Sequence, residues 1–455
     1  MTFLMKYKII LLLLVFCHPL FAQVIPVNGS DPAGRKHLAD SMENSLKHQI
    51  LDKWYPLAMD NLYGGFLSSF SYDFKPTADQ SKMIVTQARH TWVNSKAAMR
   101  YPEKVYYRKA AIQGFHFLSE VMWDKQYGGF YTLVTRDGQI PSGSTSNKEA
   151  YGNAFGIYAL TAYYQLTRDT AALSLAKNAF YWLEQHSHDP KYKGYFQHLH
   201  RDGSPVIRTT GIAATDATGY KDQNSSIHLL EAITVLYEVW KNDLVRERLQ
   251  EMLLLIRDRI TTTRGNLTLF FQPDWKPVSL QDSDKQFILR HHNLDYVSFG
   301  HDVETAYLMM EASHALGIEN DSITLMAGKR MVDHAIKNGW DKKLGGFYDE
   351  GYYFKGESNI TILTESKNWW AQAEGLNSLL LMADYFPNDP NQYFKKFKLQ
   401  WNYVQTYLID PDYGGWYEEG LDKEPERRKG LKGHIWKATY HEYRAMTNCI
   451  DRLNK

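Results

Sequence analysis

Long stretches of this chain place apolar residues three and four positions apart, the period of a helix with a buried face. Ala150 to Leu166, Ile227 to Trp240, Ala306 to Ala315 and Trp370 to Tyr385 are clear examples. Between such stretches a second, shorter pattern returns. Asp60 to Phe66 (DNLYGGF) recurs as Asp124 to Phe130 (DKQYGGF), Asp341 to Phe347 (DKKLGGF) and Asp410 to Trp416 (DPDYGGW). Asp189 to Tyr195 (DPKYKGY) is a degenerate copy, and Thr263 to Phe270 (TRGNLTLF) reads as an eroded sixth. In each, Asp opens a turn, the glycines supply positive φ, and an aromatic residue starts a short extended piece. The copies recur about every 65–75 residues, enough for two helices and a hairpin-like connection. Six helix pairs in a row make an open solenoid or a closed ring. The ring of six inner and six outer helices is the all-α (α/α)6 barrel, the fold expected here for one domain over residues 23–455. Its inner helices would surround a central funnel.

The N-terminus follows a different pattern. Lys6 and Lys8 precede the apolar run Ile9 to Phe16, and Ala22 is a small residue at a plausible cleavage point. Residues 1–22 read as a secretory signal peptide, which predicts export to the periplasm or beyond. The run falls short of the roughly 20 apolar residues of a membrane span, so no stable membrane anchor is expected. Phe16 before Cys17 is too large for a usual lipoprotein motif. Cleavage would leave Cys449 as the single thiol, with no internal disulfide possible.

Composition adds two points. A net charge of +1 with interspersed signs carries no nucleic-acid footprint. The 31 Tyr, 21 Phe and 12 Trp residues suit either a ring-rich core or a cleft for sugars, whose C–H faces pack on aromatic rings. The expected partner is a small molecule.

Chemistry concentrates at helix starts. His301 and Glu304 stand three apart in FGHDVETAYLM, so they share a helical face. His228 and Glu231 repeat the spacing, and His441 lies in WKATYHEYR. Each could be a satisfied core or capping residue. A metal site is a second reading, because His-and-Glu pairs on facing helices bind metals. The residue order is reversed here, however, and there is no HExxH motif, so no metal is expected. The third reading is acid–base catalysis by imidazoles on opposite faces of a substrate, with Glu304 orienting His301 and raising its basicity. Arg89, beside aromatic residues in QARHTW, could stabilise an oxyanion. Trp369, Trp370 and Glu374 in KNWWAQAE are candidates for sugar contact, although adjacent tryptophans cannot both face the funnel.

Together, QARHTW (87–92), NSSIHLLEA (224–232), SFGHDVETAYL (298–308), KNWWAQAE (367–374), YGGWYEE (413–419) and WKATYHEYR (436–444) resemble the N-acylglucosamine 2-epimerase superfamily. The similarity is greatest to its cellobiose 2-epimerase branch and runs from about Leu38 onward. It implies an (α/α)6 barrel and cofactor-independent epimerisation at C2 of a reducing-end sugar, through ring opening and a cis-enediolate. By matched position, His301 and His441 would transfer protons, with Glu304 supporting His301. His228 would assist ring opening or hold O1, and Arg89 would stabilise the enediolate. Trp370 and Trp436 would stack on sugar, and Asn224 and Tyr151 would line the pocket. Two departures stand out: Ala438-Thr439 replace the Cys-Pro usual before the last histidine, and His90 stands where an apolar residue is expected. Export favours a disaccharide such as cellobiose or β-mannobiose over N-acylglucosamine. An aldose–ketose isomerase of mannose-type sugars shares the fold and paired histidines. A glycoside hydrolase would instead need a carboxylate pair from residues such as Asp302, Glu374 and Glu418, and a sugar-binding protein would need no histidines.

Overall fold

Among the described residues, twelve helices of eleven residues or more alternate between two kinds of surface, and that alternation builds the fold. The computed structural model describes residues 31–455, so the expected signal peptide lies outside the described residues. The helices are α1 (Pro32–Ser45), α2 (Ile84–Arg100), α3 (Val105–Phe117), α4 (Ala150–Thr167), α5 (Thr170–His186) and α6 (Gln223–Val239). They continue as α7 (Asp243–Leu255), α8 (Phe299–Ala315), α9 (Ser322–Gly339), α10 (Trp369–Tyr385), α11 (Tyr393–Tyr403) and α12 (Tyr440–Leu453). Odd-numbered helices are amphipathic and bury one stripe, as α5 does with Ala172, Ala176, Ala179, Phe180 and Leu183. Even-numbered helices are buried nearly all round; α4 is buried without interruption from Ala150 to Tyr163. Such helices have to be enclosed by others.

The even helices form the inner ring, each packed on the next, with α12 meeting α2 to close it. The odd helices lie outside, pairing as α2/α3, α4/α5, α6/α7, α8/α9 and α10/α11, while α12 pairs with α1. The (α/α)6 barrel expected from the repeats is the fold observed. Its sixth pair joins the first described helix to the last. The apolar stretches named above fall within α4, α6, α8 and α10, apart from Trp240, which lies one residue past the end of α6. α6 and α8 begin a turn or more before the apolar period, because the first turns that carry their polar residues are helical too, and α10 begins one residue earlier, at Trp369.

The Asp-Gly-Gly turns share one geometry. Asp60 N–H bonds the carbonyl of Gly65 at 3.0 Å, and the bond recurs between Asp124 and Gly129, Asp189 and Gly194, Asp341 and Gly346, and Asp410 and Gly415. Gly64 and Gly65 hold φ of 74° and 62°, which L side chains rarely adopt. The bridge that closes the turn, Met59 to Phe66, has a sixth counterpart in Thr261 to Leu267. The eroded segment is therefore a true copy, one residue shorter.

Each of the five intact turns also carries a buried ion pair. Lys82, Lys148, Lys221, Lys367 and Lys432 reach Asp60, Asp124, Asp189, Asp341 and Asp410 at 2.6–3.0 Å. The first four lysines sit two residues before an inner helix, so the pair ties the turn to the helix start. In the sixth copy Thr262 and Val297 occupy the two places, and both charges are gone together. Removing one member of a buried pair strands the other at a cost of about 3–5 kcal/mol, whereas replacing both is tolerated.

Candidate active site

The N-terminal turns of the inner helices converge on the barrel axis, and they carry the polar residues. Arg89, Phe155, His228, Glu304 and Glu374 are each the sixth residue of their helix, and Arg444 is the fifth of α12. The repeat therefore sets six side chains around one level of the funnel.

Three imidazoles stand near this level. His441 Nδ1 lies 2.6 Å from Glu374 Oε1. His228 Nδ1 lies 2.9 Å from Glu231 Oε2. His301 Nδ1 lies 3.0 Å from Ser298 Oγ. Each ring is thus fixed through Nδ1, and Nε2 has no protein partner among the described residues. Trp370 borders two of them, with its ring 4.6 Å from that of His301 and 5.8 Å from that of His441. Gly300 makes this close fit possible, since a Cβ there would lie 2.6 Å from the Trp370 indole. On the other side, Arg89 donates to the Tyr151 hydroxyl at 3.1 Å and to the Trp436 carbonyl at 2.8 Å. His228 sits 5.1 Å from the Tyr151 ring. Trp436 is 44% exposed on the loop before α12, 6.4 Å from Tyr151. Asn224, second in α6, is partly exposed at the same end.

Arg444 was not singled out from the sequence, yet it joins the site together. Its guanidinium donates to Glu231 on α6, Glu304 on α8 and Glu374 on α10. Tyr307 donates to Glu374 at 2.8 Å and Tyr440 to Glu231 at 2.5 Å. The carboxylates that hold His441 and His228 are therefore themselves held by one cation. The sequence did carry a signal: Arg444 falls three residues after His441 and four after Tyr440, on one helical face. Behind this layer, a cavity of about 720 Å³ opens among the C-terminal halves of the inner helices, with Arg444, Glu231 and Tyr307 in its lining.

Electrostatics follow from burial. Desolvation pushes His301 down to about 4, against the opposing pull of Glu304. It also lowers His441 well below the usual histidine range, with Arg89 adding to the effect. Burial therefore favours the neutral, basic form of each ring. Burial raises Glu374 despite Arg444. For Glu231, the guanidinium and His228 outweigh burial and lower it.

Several expectations need correction. Glu304 does not orient His301; its carboxylate is drawn to Arg444, Ser298 holds the ring, and Glu304 acts on His301 only through its field. Glu374 is fully buried with both oxygens engaged, so it positions His441 and does not contact sugar. Trp369 is buried, its ring facing Lys437 and His434; Trp370 alone of the two borders the funnel histidines. The carboxylates considered for hydrolysis are committed elsewhere. Asp302 accepts Leu267 N–H at 2.9 Å, and Glu418 pairs with His434 at 3.0 Å. Glu304, Glu374 and His441 also lie close enough to ligate a cation, but the Arg444 guanidinium already faces both carboxylates.

The described helices include none long and apolar enough to cross a membrane. Across residues 64–445 the chain matches the family model described as N-acylglucosamine 2-epimerase (GlcNAc 2-epimerase). It is 26% identical over 428 residues to a cellobiose 2-epimerase of Bacteroides fragilis, covering 92% of this chain and 99% of that protein. The solved cellobiose 2-epimerase of Bacillus thermoamylovorans B4167 superposes with a TM-score of 0.78 at 27% identity, over 91% of this chain and 99% of that one. A solved D-mannose isomerase gives 0.77 at 21% identity, over 90% and 97%, a likeness of fold. With the barrel and the axial histidines, these matches establish that the chain belongs to the N-acylglucosamine 2-epimerase family of carbohydrate epimerases.

Proposed function

We propose that this enzyme inverts C2 of the reducing-end sugar of a β-linked disaccharide, cellobiose or β-mannobiose. The observation that carries the reading is the pair His301 and His441. They flank one indole, each fixed at Nδ1 and unpartnered at Nε2. The relatives named cellobiose 2-epimerase, matched along nearly their whole length, support the substrate class. The lysine-then-apolar N-terminus supports export, where such oligosaccharides are met.

In this mechanism His228 and Arg89 receive O1 as the pyranose opens, because only the aldehyde makes the C2 proton acidic. One imidazole takes that proton at Nε2, and the C–H electron pair moves into a cis-enediolate. Arg89 and the Tyr151 hydroxyl face the developing charge, fixed before the reaction starts. The other imidazole enters the step protonated at Nε2 and gives that proton to the opposite face of C2, so the first ring ends as the imidazolium and the second as the neutral base until solvent resets them. Trp370 stacks on the reacting sugar, and Trp436, exposed across the funnel, stacks on the second ring.

Proton NMR of each disaccharide in D2O tests the reading. Loss of the reducing-end H2 signal with growth of the C2 epimer is the expected result. A ketose product would make the enzyme an isomerase, and monosaccharides would overturn the proposal. The pH profile makes a second check. A neutral imidazole is the active base, so the acid limb follows that base's folded pKa, while loss of the proton on the other ring sets a separate alkaline limb. With His301 pushed down to about 4, the acid limb of kcat/KM is expected near pH 4–5. An acid limb near 6.5, the ordinary histidine value, would mean that His301 is not the desolvated base.

A further inference from the structure

Three polar side chains on one face of α2 grip the segment that delivers His441. Thr86, Arg89 and His90 lie at positions i, i+3 and i+4. Thr86 Oγ1 donates to the carbonyl of Ile435, and Arg89 to that of Trp436. The third grip is indirect. His90 Nδ1 lies 2.7 Å from the Tyr55 hydroxyl, which reaches Thr439 Oγ1 at 3.3 Å.

Thr439 caps the start of α12, and its carbonyl accepts the Tyr443 N–H at 2.9 Å. A threonine in this place ordinarily turns its hydroxyl onto a backbone N–H of the first turn. Thr439 makes no such bond; its hydroxyl reaches Tyr55, 384 residues earlier in the chain. All three members of the relay are buried. His90 stacks on Phe66, with ring centroids 4.8 Å apart, and its Nε2 has no partner among the described residues. Burial pushes its imidazole down to about 3 and raises the Tyr55 phenol, so both are neutral dipoles. A hydrocarbon ring in place of His90 would avoid the unpartnered nitrogen. What the polar relay adds is direction, since it fixes the first turn of α12 in one place.

We propose that Tyr55, braced by His90, is a positioning residue for His441, which is the second residue of α12. The relay sets the height and rotation of that turn and so the aim of Nε2 at C2. The inference rests on the epimerase reading. Proton transfer is sensitive to this aim, because a misplacement of about 1 Å can cost about 100-fold in rate.

The test compares Tyr55→Phe, Thr439→Val, their double variant and Thr439→Ser. Thr161→Val serves as control, because its buried Oγ1 bonds only the Ile157 carbonyl within α4. Tyr55→Phe and Thr439→Val are expected to lower kcat about 10- to 100-fold with KM little changed. The double variant should be no worse than the poorer single one. Thr439→Ser, which keeps the hydroxyl, and Thr161→Val should keep wild-type kcat. Wild-type kcat in folded Thr439→Val, or losses that multiply in the double variant, would overturn the proposal. Should Tyr55→Phe not fold, the contrast between Val and Ser at 439 decides alone. If the wild-type protein exchanges C2 hydrogen in no sugar, the epimerase reading fails, and the positioning claim is read from the His441 ring 15N resonances. Their movement in Thr439→Val but not in Thr161→Val supports the relay, and unmoved resonances refute it.

Discussion

Alanine at His301 or at His441 is expected to lower kcat for epimerisation by about 1,000-fold, within the range for loss of a positioned acid–base group. Neither ring is central to the core: His301 is held by one hydroxyl and His441 by one carboxylate. Each variant should therefore stay folded. A two-base mechanism makes a sharper demand than simple inactivation. The surviving imidazole still faces one side of C2, so each variant should exchange the C2 hydrogen of one epimer with D2O without inverting it. The two variants should choose opposite epimers. NMR of both epimers with each variant reads this directly. Inversion at near wild-type rate in either one would show that a single base, or another group, does the work.

Arg444 carries the second large effect. Its guanidinium faces three buried carboxylates from three helices. Arg444→Met would leave them together in a medium that solvates charge poorly, at a cost of about 3–5 kcal/mol or more. The loss should depend on pH in a diagnostic direction. Without the cation, burial raises the folded pKa values of Glu231 and Glu374 above their unfolded values. The folded state then binds more protons, and stability increases as pH falls. The deficit of Arg444→Met relative to wild type should shrink between pH 8 and pH 5 in denaturant melts. Arg444→Lys keeps one charge but lacks the planar fork that spans several carboxylates. It should fold, with kcat reduced because Glu374 no longer holds His441 as firmly. A pH-independent deficit in Arg444→Met would show that the three carboxylates are not balanced by this residue.

The sequence made local patterns visible and left contacts between distant helices hidden. The Asp-Gly-Gly turns announce themselves, because positive φ demands glycine and the period exposes the ring. The lysines that lock them do not, since Lys82 or Lys221 reads as an ordinary surface residue until its aspartate is seen to be buried. His228 and Glu231 form the pair that their spacing implies. His301 and Glu304 have the same spacing and do not, because Arg444, 140 residues away, draws the carboxylate off. Glu374 reads as a sugar contact for the same reason: nothing local shows that His441 and Arg444 will arrive from the far end of the chain. His90 and Thr439 look unrelated in sequence and meet at Tyr55 in space.

The seam between α12 and its neighbours has a kinetic consequence. Five helix pairs are built from residues close in sequence and can nucleate independently. The sixth is not: Arg35 donates to the carbonyl of Arg452 across 417 residues, and Thr86 to that of Ile435 across 349. Closing so long a loop costs entropy that no local contact repays until α12 is in place. His441 and Arg444 ride on that last piece. On refolding, helix content should therefore return ahead of activity, and circular dichroism followed alongside turnover would show the lag. Simultaneous recovery would mean that the ring closes as early as its hairpins form.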